Sequence, residues 1–436
     1  MTPPLTRRSL LGTVGSASAL AFGPRLATAT AADKRFIVDT RENVRLGDAR
    51  VVHDLNPVDA LVVETNDPAT LDGRYAPDVG LALDLPVDAQ SYGATAASVD
   101  ALSEFQWDKS SQRVSMVHDH TTGGGTRVAV IDTGIAAAHP DLGDAVDRRR
   151  SRNFTDDGGD FTDVGYHGTH VSSIIAGATR DGRGVLGTAP DTDLVVCRVF
   201  SGRGTTSFGT ILAAMVYAAR VGCDAANMSL GAYPMPLADD DIQVLLDLFD
   251  RATTFGRERG TLFVAAAGNA GVNLDEDGPL ISLPAEADDV VSVSATGPIG
   301  FRWDDDPGED DPLDDLRRST HTPAFYTNYG ERAIDLSAPG GNADTDAMGS
   351  GEAWFLDLVF GAVPGGYAWL AGTSMAAPQV TGTVALVRSR HPNLSAPDVA
   401  RHLTATAEGA SAQQYHGAGH LDTRAAATQE IEFRDG

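Results

Sequence analysis

Gly372-Thr373-Ser374-Met375-Ala376-Ala377-Pro378 is the stretch that decides the interpretation of this 436-residue chain. Two other motifs precede it, Asp132-Thr133-Gly134 and His167-Gly168-Thr169-His170. Together the three motifs supply an acid, a base and a nucleophile in the order Asp, His, Ser. Unrelated serine hydrolases build this triad with different chain orders, so the order itself distinguishes one class from another.

The chain around these motifs alternates apolar runs with stretches of helical spacing. Strands are predicted at residues 128–131, 194–199, 224–228, 262–266 and 290–293. Helices are predicted at residues 167–177, 206–221, 245–259 and 374–389. Buried strands that alternate with helices favour an α/β fold with a mostly parallel central sheet.

Asp132 follows the first of these strands, at the end where α/β folds place their functional sites. A carboxylate there can accept a hydrogen bond from a histidine and fix its tautomer. Asp-Thr-Gly alone is also typical of a turn, and of aspartic proteases, which need a second such motif that this sequence lacks. His167 begins the next predicted helix and is the candidate base. His170, one turn further, is expected to be a structural histidine satisfied by a hydrogen bond.

Ser374 lies at the start of a predicted helix, where a serine is ordinarily an N-cap. Gly372, Ala376 and Ala377 leave space around its hydroxyl, however, and the helix N-terminus favours an oxyanion. Pro378 is expected within about the first turn, where its missing N–H costs little. Because Ala376 replaces the last glycine of Gly-x-Ser-x-Gly, the motif differs from the nucleophile elbow of α/β-hydrolases.

Asn269 follows Ala265-Ala266-Ala267-Gly268 at the end of a predicted strand. An isolated Gly-Asn is usually a turn. Its place between His167 and Ser374 in the chain, after an all-small strand end, favours a side-chain amide that donates to a developing oxyanion. The catalytic candidates are therefore Asp132, His167, Ser374 and Asn269.

These motifs resemble those of the subtilisin-like serine proteases, or subtilases, and occur in that family's order. They lie at residues 130–135, 167–171, 227–231, 266–269 and 372–378, and the resemblance spans about residues 106–426. Ser172-Ser173 departs from the family's usual Ala-Gly, which affects helix packing more than chemistry. The resemblance implies a subtilisin-like three-layer fold and peptide-bond hydrolysis through an acyl-enzyme. Within the family, the acidity and the N-terminal segment are most similar to those of haloarchaeal halolysins.

The resemblance also implies residues that bind substrate and metal. The groove is expected to be lined by Ser229, Leu230, Gly231, Ala266 and Gly268, with Ser282 at the floor of the pocket for the residue before the scissile bond. A structural Ca²⁺ is implied, with oxygen ligands from Asp141, Asp181, Thr179, Arg183 and Val185, and with Gln106 as a further contributor. The alternative for this loop is a plain surface turn with one solvated aspartate.

The N-terminal part of the chain predicts export and maturation. Thr6-Arg7-Arg8-Ser9-Leu10-Leu11, a weakly apolar run and Ala27-Thr28-Ala29 are typical of a twin-arginine signal peptide, predicted for residues 1–31. By position, residues 32–104 resemble the family's propeptide, a small α/β domain that assists folding, blocks the groove and is removed. Residues 88–98 have linker composition. Self-cleavage is expected between about residues 87 and 106, with residues 105–436 as the peptidase domain.

Composition limits the partners. The net charge of −27, from 33 basic and 60 acidic residues, disfavours nucleic acid and anionic membranes. Only Lys34 and Lys109 are lysines, and this balance predicts adaptation to concentrated salt rather than an ordinary acidic protein. No apolar run of the sequence is long enough to span a membrane. Cys197 and Cys223 are predicted to be buried free thiols, with a single disulfide between them as the alternative.

The predicted function is therefore a secreted, salt-adapted serine endopeptidase. It is expected to be a monomer whose partners are polypeptide substrates and its own propeptide. One rival is a non-catalytic subtilase-fold protein for peptide binding or surface assembly, which a missing triad member would favour; none is missing. A second rival is a secreted esterase with the same triad, which assays on casein and on a short-chain ester would separate.

Overall fold

The computed structural model describes residues 30–41, 44–83, 87–92, 102–179, 183–303, 312–348, 352–409 and 412–431. Its strands are β1 (Thr30–Asp39), β2 (Arg50–Leu55), β3 (Ala60–Glu64), β4 (Tyr75–Ala82), β5 (Val87–Tyr92), β6 (Arg127–Asp132), β7 (Arg152–Asn153), β8 (Asp193–Arg198), β9 (Thr205–Ser207), β10 (Ala225–Met228), β11 (Ala232–Pro236), β12 (Leu262–Ala266), β13 (Leu280–Leu283), β14 (Val290–Thr296), β15 (Leu336–Pro339), β16 (Val359–Val363) and β17 (Gly366–Ala371). Its α-helices are α1 (Trp107–Ser111), α2 (Val114–His118), α3 (His167–Ala176), α4 (Phe208–Arg220), α5 (Asp240–Glu258), α6 (Thr373–Arg390), α7 (Ala396–Thr406), α8 (Gln413–His416) and α9 (Thr423–Thr428).

A seven-stranded sheet forms the centre of the molecule, in the order β15-β14-β12-β10-β6-β8-β7. Every neighbouring pair in it is parallel. The mostly parallel α/β fold predicted from the sequence is therefore confirmed. The predicted strand at residues 262–266 has the observed bounds, and the others differ by one to three residues at an end.

Alternate residues of the central strands face two different cores. Val128 and Val130 of β6 pack on the side of α3 and α6, in a cluster that includes Ile174 and Val380. Their neighbours Ala129 and Ile131 face the other side, where α4 and α5 supply the second cluster. Because both faces of the sheet are covered, its strands are apolar throughout rather than alternating. This three-layer arrangement holds α3 and α6, which begin at the two reactive motifs, on the same face.

The N-terminal unit is an antiparallel sheet in the order β2-β3-β1-β4, and β9 extends it. Apolar residues of this sheet, such as Ile37 and Val62, share a core with Phe208 of α4 and Phe249 of α5. In residues 30–41 and 44–83 the unit's helical content is two 3-10 turns, Asn56–Val58 and Pro68–Thr70. The helical layer that covers this sheet therefore comes from the peptidase part of the chain.

Three segments differ from the sequence-based expectation. The helix predicted at residues 245–259 spans Asp240–Glu258, because the Asp239 side chain caps it by accepting from the Asp241 N–H. The linker predicted at residues 88–98 is in part a strand, because β5 pairs with β17; residues 93–98 lie outside the described residues. The helix predicted from residue 206 begins at Phe208, because Thr205–Ser207 form β9 and the Ser207 hydroxyl caps the helix by accepting from the Thr210 N–H. Among the described residues, no helix is both long and apolar enough to cross a membrane.

Candidate active site

Asp132 and His167 form a buried hydrogen-bonded pair. Asp132 is the last residue of β6, and His167 is the first residue of α3. The His167 Nδ1 lies 2.8 Å from Asp132 Oδ1 and 3.0 Å from Oδ2. The Thr133 N–H also donates to Oδ1, at 2.7 Å. A carboxylate can only accept, so Nδ1 is the donor and Nε2 is left as the basic nitrogen.

Ser374 is the second residue of α6 and lies in the same groove as Asn269. Its Oγ donates to the carbonyl oxygen of Ser229, at 3.3 Å. Within the described part of the chain, His167 Nε2 has no hydrogen-bond partner. The Ser374 hydroxyl is therefore directed at Ser229, and the proton transfer to His167 predicted from the sequence requires it to turn away from that carbonyl. Catalytic hydrogen bonds commonly tighten in this way only when substrate is bound.

Pro378 lies deeper in its helix than the sequence predicts. It is the sixth residue of α6 rather than part of its first turn. A proline at that position cannot donate to the carbonyl of Ser374, four residues earlier. The Ser229 hydroxyl replaces that donor, at 2.7 Å, and itself accepts from Asn227 Nδ2 at 2.9 Å. This contact joins the segment that follows β10 to the start of α6.

Asn269 has a defined orientation beside the nucleophile. Its Oδ1 accepts from the Thr373 backbone N–H at 3.0 Å and from the Thr373 hydroxyl at 2.9 Å. A backbone N–H can only donate, so the amide oxygen must face Thr373 and the Nδ2 occupies the other branch. Gly268 contributes a positive φ of 106° to the turn that presents this side chain.

The substrate residues predicted from the sequence lie together around Ser374. One pocket is lined by Ser374, Asn269 and all five predicted groove residues, Ser229, Leu230, Gly231, Ala266 and Gly268. Ser282 lines it as well. The chain's own Ala82 and Leu83, at the end of β4, also lie along it, so the N-terminal unit reaches the groove.

Asn328 is a groove residue that sequence reasoning missed. It lines the pocket, donates to the Ala267 carbonyl at 2.9 Å and accepts from the Ala270 N–H at 2.9 Å. Its own N–H donates to the Gly268 carbonyl at 3.0 Å. Asn328 therefore braces the turn that carries Asn269. No spacing rule marks this asparagine, because its partners are backbone groups about sixty residues away.

His170 and the two cysteines are structural, as predicted. His170 is buried, its Nε2 lies 3.2 Å from the Ala368 carbonyl, and burial lowers its pKa to about 3. It is therefore neutral at neutral pH. Cys197 and Cys223 are buried free thiols, and burial raises the pKa of Cys223 to about 12.

The predicted calcium loop is closed onto Asp141. The carboxylate of this buried aspartate accepts from the Val185 N–H at 2.9 Å and from the Tyr367 hydroxyl at 3.1 Å. A Cβ at Gly184 would lie 2.4 Å from Asp141 Oδ1, so the loop packs directly on the carboxylate. Val185 and Tyr367 thus donate to one of the predicted calcium ligands. Asp181, another predicted ligand, lies outside the described residues, so this geometry does not test the calcium prediction.

The other predicted ligands lie near this loop. Thr179 and exposed Arg183 flank residues 180–182, which are outside the described residues. The side chain of Gln106 bonds the backbone of Leu186, donating to its carbonyl at 3.0 Å and accepting from its N–H at 2.8 Å. Gln106 is thus engaged with the loop backbone.

A buried Asp–His pair, and a serine at a helix N-terminus that shares a groove with an asparagine amide, are the parts from which a serine hydrolase builds its site. The chain belongs to the subtilase family, because the model described as "Subtilase family" matches residues 123–428. It is a serine protease of the subtilisin type. An alkaline protease of Alkalihalobacillus alcalophilus is 30% identical over 396 residues, which cover 90% of this chain and 85% of that protein. Subtilisin Savinase of Lederbergia lenta is 32% identical over 321 residues, 73% of this chain and 97% of that protein.

Solved structures agree on the fold. The epidermin leader peptide processing serine protease of Staphylococcus aureus superposes with a TM-score of 0.71 at 21% identity, covering 92% of this chain and 99% of that chain. A lanthipeptide protease has a TM-score of 0.63 at 27% identity, covering 78% of this chain and 99% of that chain. The similarity to halolysins predicted from the sequence stays a prediction.

Proposed function

We propose that this subtilase is a secreted, salt-adapted serine endopeptidase that is made as a precursor and processes itself. Two observations carry the proposal: the buried Asp132–His167 hydrogen bond, and the shared groove of Ser374 and Asn269. Ser374 Oγ attacks the peptide carbonyl carbon while His167 Nε2 takes its proton, and Asp132 holds the resulting imidazolium. The Asn269 amide and the Ser374 N–H donate to the oxyanion. His167 then protonates the leaving amine, and water releases the acyl group by the same steps.

An extended groove supports cleavage within polypeptides. Ser229, Leu230 and Gly231 follow directly after β10 and lie along one wall. An extended peptide paired with such a wall gains affinity from main-chain hydrogen bonds rather than from one side chain. The small residues Ala266 and Gly268 leave the neighbouring pocket open. Broad specificity follows from this open pocket.

The contacts between the N-terminal unit and the peptidase part support the proposal that this unit acts as an internal inhibitor. β4 pairs antiparallel with β9 at Gly80–Ala82 and brings Leu83 into the groove. Asp78 of β4 is fully buried and accepts from the Gly209 N–H at 2.7 Å and from the Ser207 hydroxyl at 2.8 Å. These donors lie at the N-terminus of α4, where a carboxylate is stabilised by the helix dipole. The unit is therefore held at the site by specific polar contacts as well as by its apolar face.

A cluster of ion pairs joins the same unit to α5. Asp247 of α5 bonds Arg41 at 2.7 Å and Arg74 at 3.3 Å. Arg251 of α5 lies 3.4 Å from Asp39 and donates to the Val58 carbonyl at 2.7 Å. Such partly exposed pairs are weakened by salt, whereas the apolar contact is not. They are suited to a contact that must later be released.

Secretion by the twin-arginine route, salt adaptation, a monomeric state and the likeness to halolysins rest on the sequence. The motif of residues 6–11 and the net charge of −27 support them. Structural calcium at the Asp141 loop also stays a prediction.

The test compares the full chain with its Ser374→Ala variant after expression and refolding in concentrated salt. We expect only the wild type to lose its N-terminal segment, measured by intact mass, and only the wild type to hydrolyse casein. Loss of the nucleophile should lower the rate of casein hydrolysis by roughly 10⁴-fold or more. Full-length chains in both samples, together with inactivity on casein, would overturn the proposal.

A further inference from the structure

The chain has two lysines, and one of them is buried between the two helices that begin at the reactive motifs. Lys109 of α1 is 4% exposed. Its ammonium donates to the carbonyl oxygen of Ile174 in α3 at 3.0 Å, to the Thr188 hydroxyl at 3.0 Å and to Gln379 Oε1 in α6 at 2.6 Å. A lysine ammonium has three N–H donors, and here each of them has an acceptor. One side chain therefore joins α3 to α6.

Asp108 completes this buried network. Its carboxylate is fully buried, and its Oδ2 lies 3.4 Å from the Lys109 ammonium and accepts from Gln379 Nε2 at 2.7 Å. The amide of Gln379 is therefore fixed at both ends, with Oε1 on the lysine and Nε2 on the aspartate. The Ile174 carbonyl lies in the last turn of α3, where the helix dipole favours a cation. The aspartate and the helix end together compensate the buried positive charge.

The segment that carries the network is anchored along its length. Gln106, just before Trp107, bonds the backbone of Leu186 through both ends of its amide. Trp107 is fully buried, and its indole N–H donates to the Leu358 carbonyl at 2.9 Å. Four consecutive side chains, those of residues 106–109, thus bond to the peptidase part of the chain. The start of that part is a fixed point against which the two helices are placed.

The network fixes the offset between α3 and α6. These helices pack through apolar side chains such as Ile174 and Val380, and apolar contact is not directional. Hydrogen bonds from one ammonium to both helices are directional and define one offset. Ile174 lies seven residues after His167, and a helix of that length spans about 10 Å. Because a misplacement of about 1 Å can cost roughly 10²-fold in rate, a small slip of α3 along α6 would affect the chemistry.

We propose that Lys109 is a positioning residue for peptide-bond hydrolysis, and that its ammonium holds α3 and α6 at the offset that brings His167 Nε2 within reach of the Ser374 hydroxyl. Asp108 supports this role by compensating the charge and orienting Gln379. The proposal rests on the proposed protease function. It concerns the rate of the chemical step rather than substrate binding, because the groove described above is lined by other residues.

The first test detaches α6 from the network and leaves the Lys109–Asp108 pair in place. Gln379→Met keeps about the length of the side chain but has neither Oε1 nor Nε2. When intact mass shows that the full chain has matured, we expect kcat on a peptide substrate to be about 10- to 100-fold lower than in the wild type, with KM within about twofold. Inactivation by phenylmethylsulfonyl fluoride should slow in parallel, because it reports activation of the serine hydroxyl without a bound peptide.

Gln112→Met is the matched control. Gln112 is the C-cap of α1 and is also buried. Its Oε1 accepts from the N–H and the hydroxyl of Thr423 in α9, at 3.0 and 2.9 Å, so it joins α1 to a helix that carries no catalytic candidate. This variant should lower the Tm, as Gln379→Met does, and leave kcat unchanged. A wild-type kcat in Gln379→Met, or equal losses of kcat in both variants, would overturn the proposal.

A second variant decides the question if Gln379→Met fails to fold. Asp108→Asn combined with Lys109→Met removes both charges, so that no carboxylate is left buried without its cation. We expect the same loss of kcat, measured at a temperature where the variant is folded, and a wild-type kcat would contradict the proposal. If the wild-type chain hydrolyses neither casein nor peptide, the proposed function itself has failed. That result differs from hydrolysis that ignores these substitutions.

Discussion

The side-chain amide of Asn269 cannot flip, because its oxygen accepts two hydrogen bonds from Thr373. We expect Asn269→Ala to lower kcat by about 10²–10³-fold with a small change in KM, since the lost donor acts on the oxyanion rather than on the bound substrate. That range comes from a subtilisin, a member of this family. Thr373→Ser keeps the hydroxyl that orients the amide and serves as the control. A tenfold rise in KM with kcat unchanged would assign Asn269 to substrate binding instead.

Glu286 lies below the substrate pocket, and the charge on its side chain depends on pH. Its carboxylate accepts from the N–H of Ser282, which lines the pocket, at 2.7 Å. Burial, with smaller contributions from the carboxylates of Asp277 and Asp275, raises the pKa of Glu286 to about 7. As pH rises through 7 the side chain ionises, and a negative charge develops under the pocket.

From pH 6 to pH 8 we therefore expect the ratio of kcat/KM for lysine over leucine before the scissile bond to increase roughly fivefold. Glu286→Gln should make this ratio independent of pH. The same pKa shift predicts that stability declines between about pH 4.5 and 7, because the folded chain binds this proton more tightly than the unfolded chain does. An identical pH profile in the variant would exclude Glu286 as the cause.

At the scale of one element, α6 depends on a donor from outside the helix. Pro378 leaves the Ser374 carbonyl without its helical donor, and the Ser229 hydroxyl replaces it. Ser229→Ala should therefore reduce the free energy of unfolding by about 1–3 kcal/mol, since a buried carbonyl loses its partner. Pro378→Ala restores the helical N–H, so the same serine change should cost much less in that background. A double-mutant cycle by denaturant unfolding, on chains that also carry Ser374→Ala, measures this coupling. Additive effects would contradict it.

The Asp141 loop is the second element with a direct test. Its carboxylate already accepts from Val185 and Tyr367, and Gly184 packs against it. The ligand set predicted from the sequence nevertheless implies that millimolar calcium raises the Tm of the full-length Ser374→Ala chain above its value in excess EGTA, whereas magnesium does not. The same Tm in EGTA and in calcium would contradict that ligand set.

The elements that carry the triad are predictable because each depends on local pattern. An apolar run ends at Asp132, and helical spacing begins at His167 and near Ser374. β5 and β9 are not predictable in this way, because their residues are polar or small and their pairing partners are distant in the chain. The substitute donor for Pro378 and the brace at Asn328 were missed for the same reason. Both are made by tertiary contacts that leave no periodic signal in the sequence.

On the scale of the whole molecule, two electrostatic effects have opposite signs. The chain carries a net charge of −27, and self-repulsion of such a charge destabilises the compact state. The contact between the N-terminal unit and α5, in contrast, contains attractive pairs such as Arg41–Asp247 and Arg251–Asp39. Added salt screens both. It therefore favours the folded peptidase part while it weakens the polar part of the contact that blocks the groove.

Stability should consequently increase with ionic strength. We expect the Tm of the full-length Ser374→Ala chain to rise by several degrees between about 0.1 M and 1 M NaCl, which corresponds to roughly 1–2 kcal/mol, since the Debye length shortens from about 10 to 3 Å. KCl should act equally, because screening depends on ionic strength, and sucrose at matched osmolality should act differently. A Tm that is flat or falls with either salt would show that the acidic surface does not limit stability, and the salt-adaptation proposal would lose its physical basis.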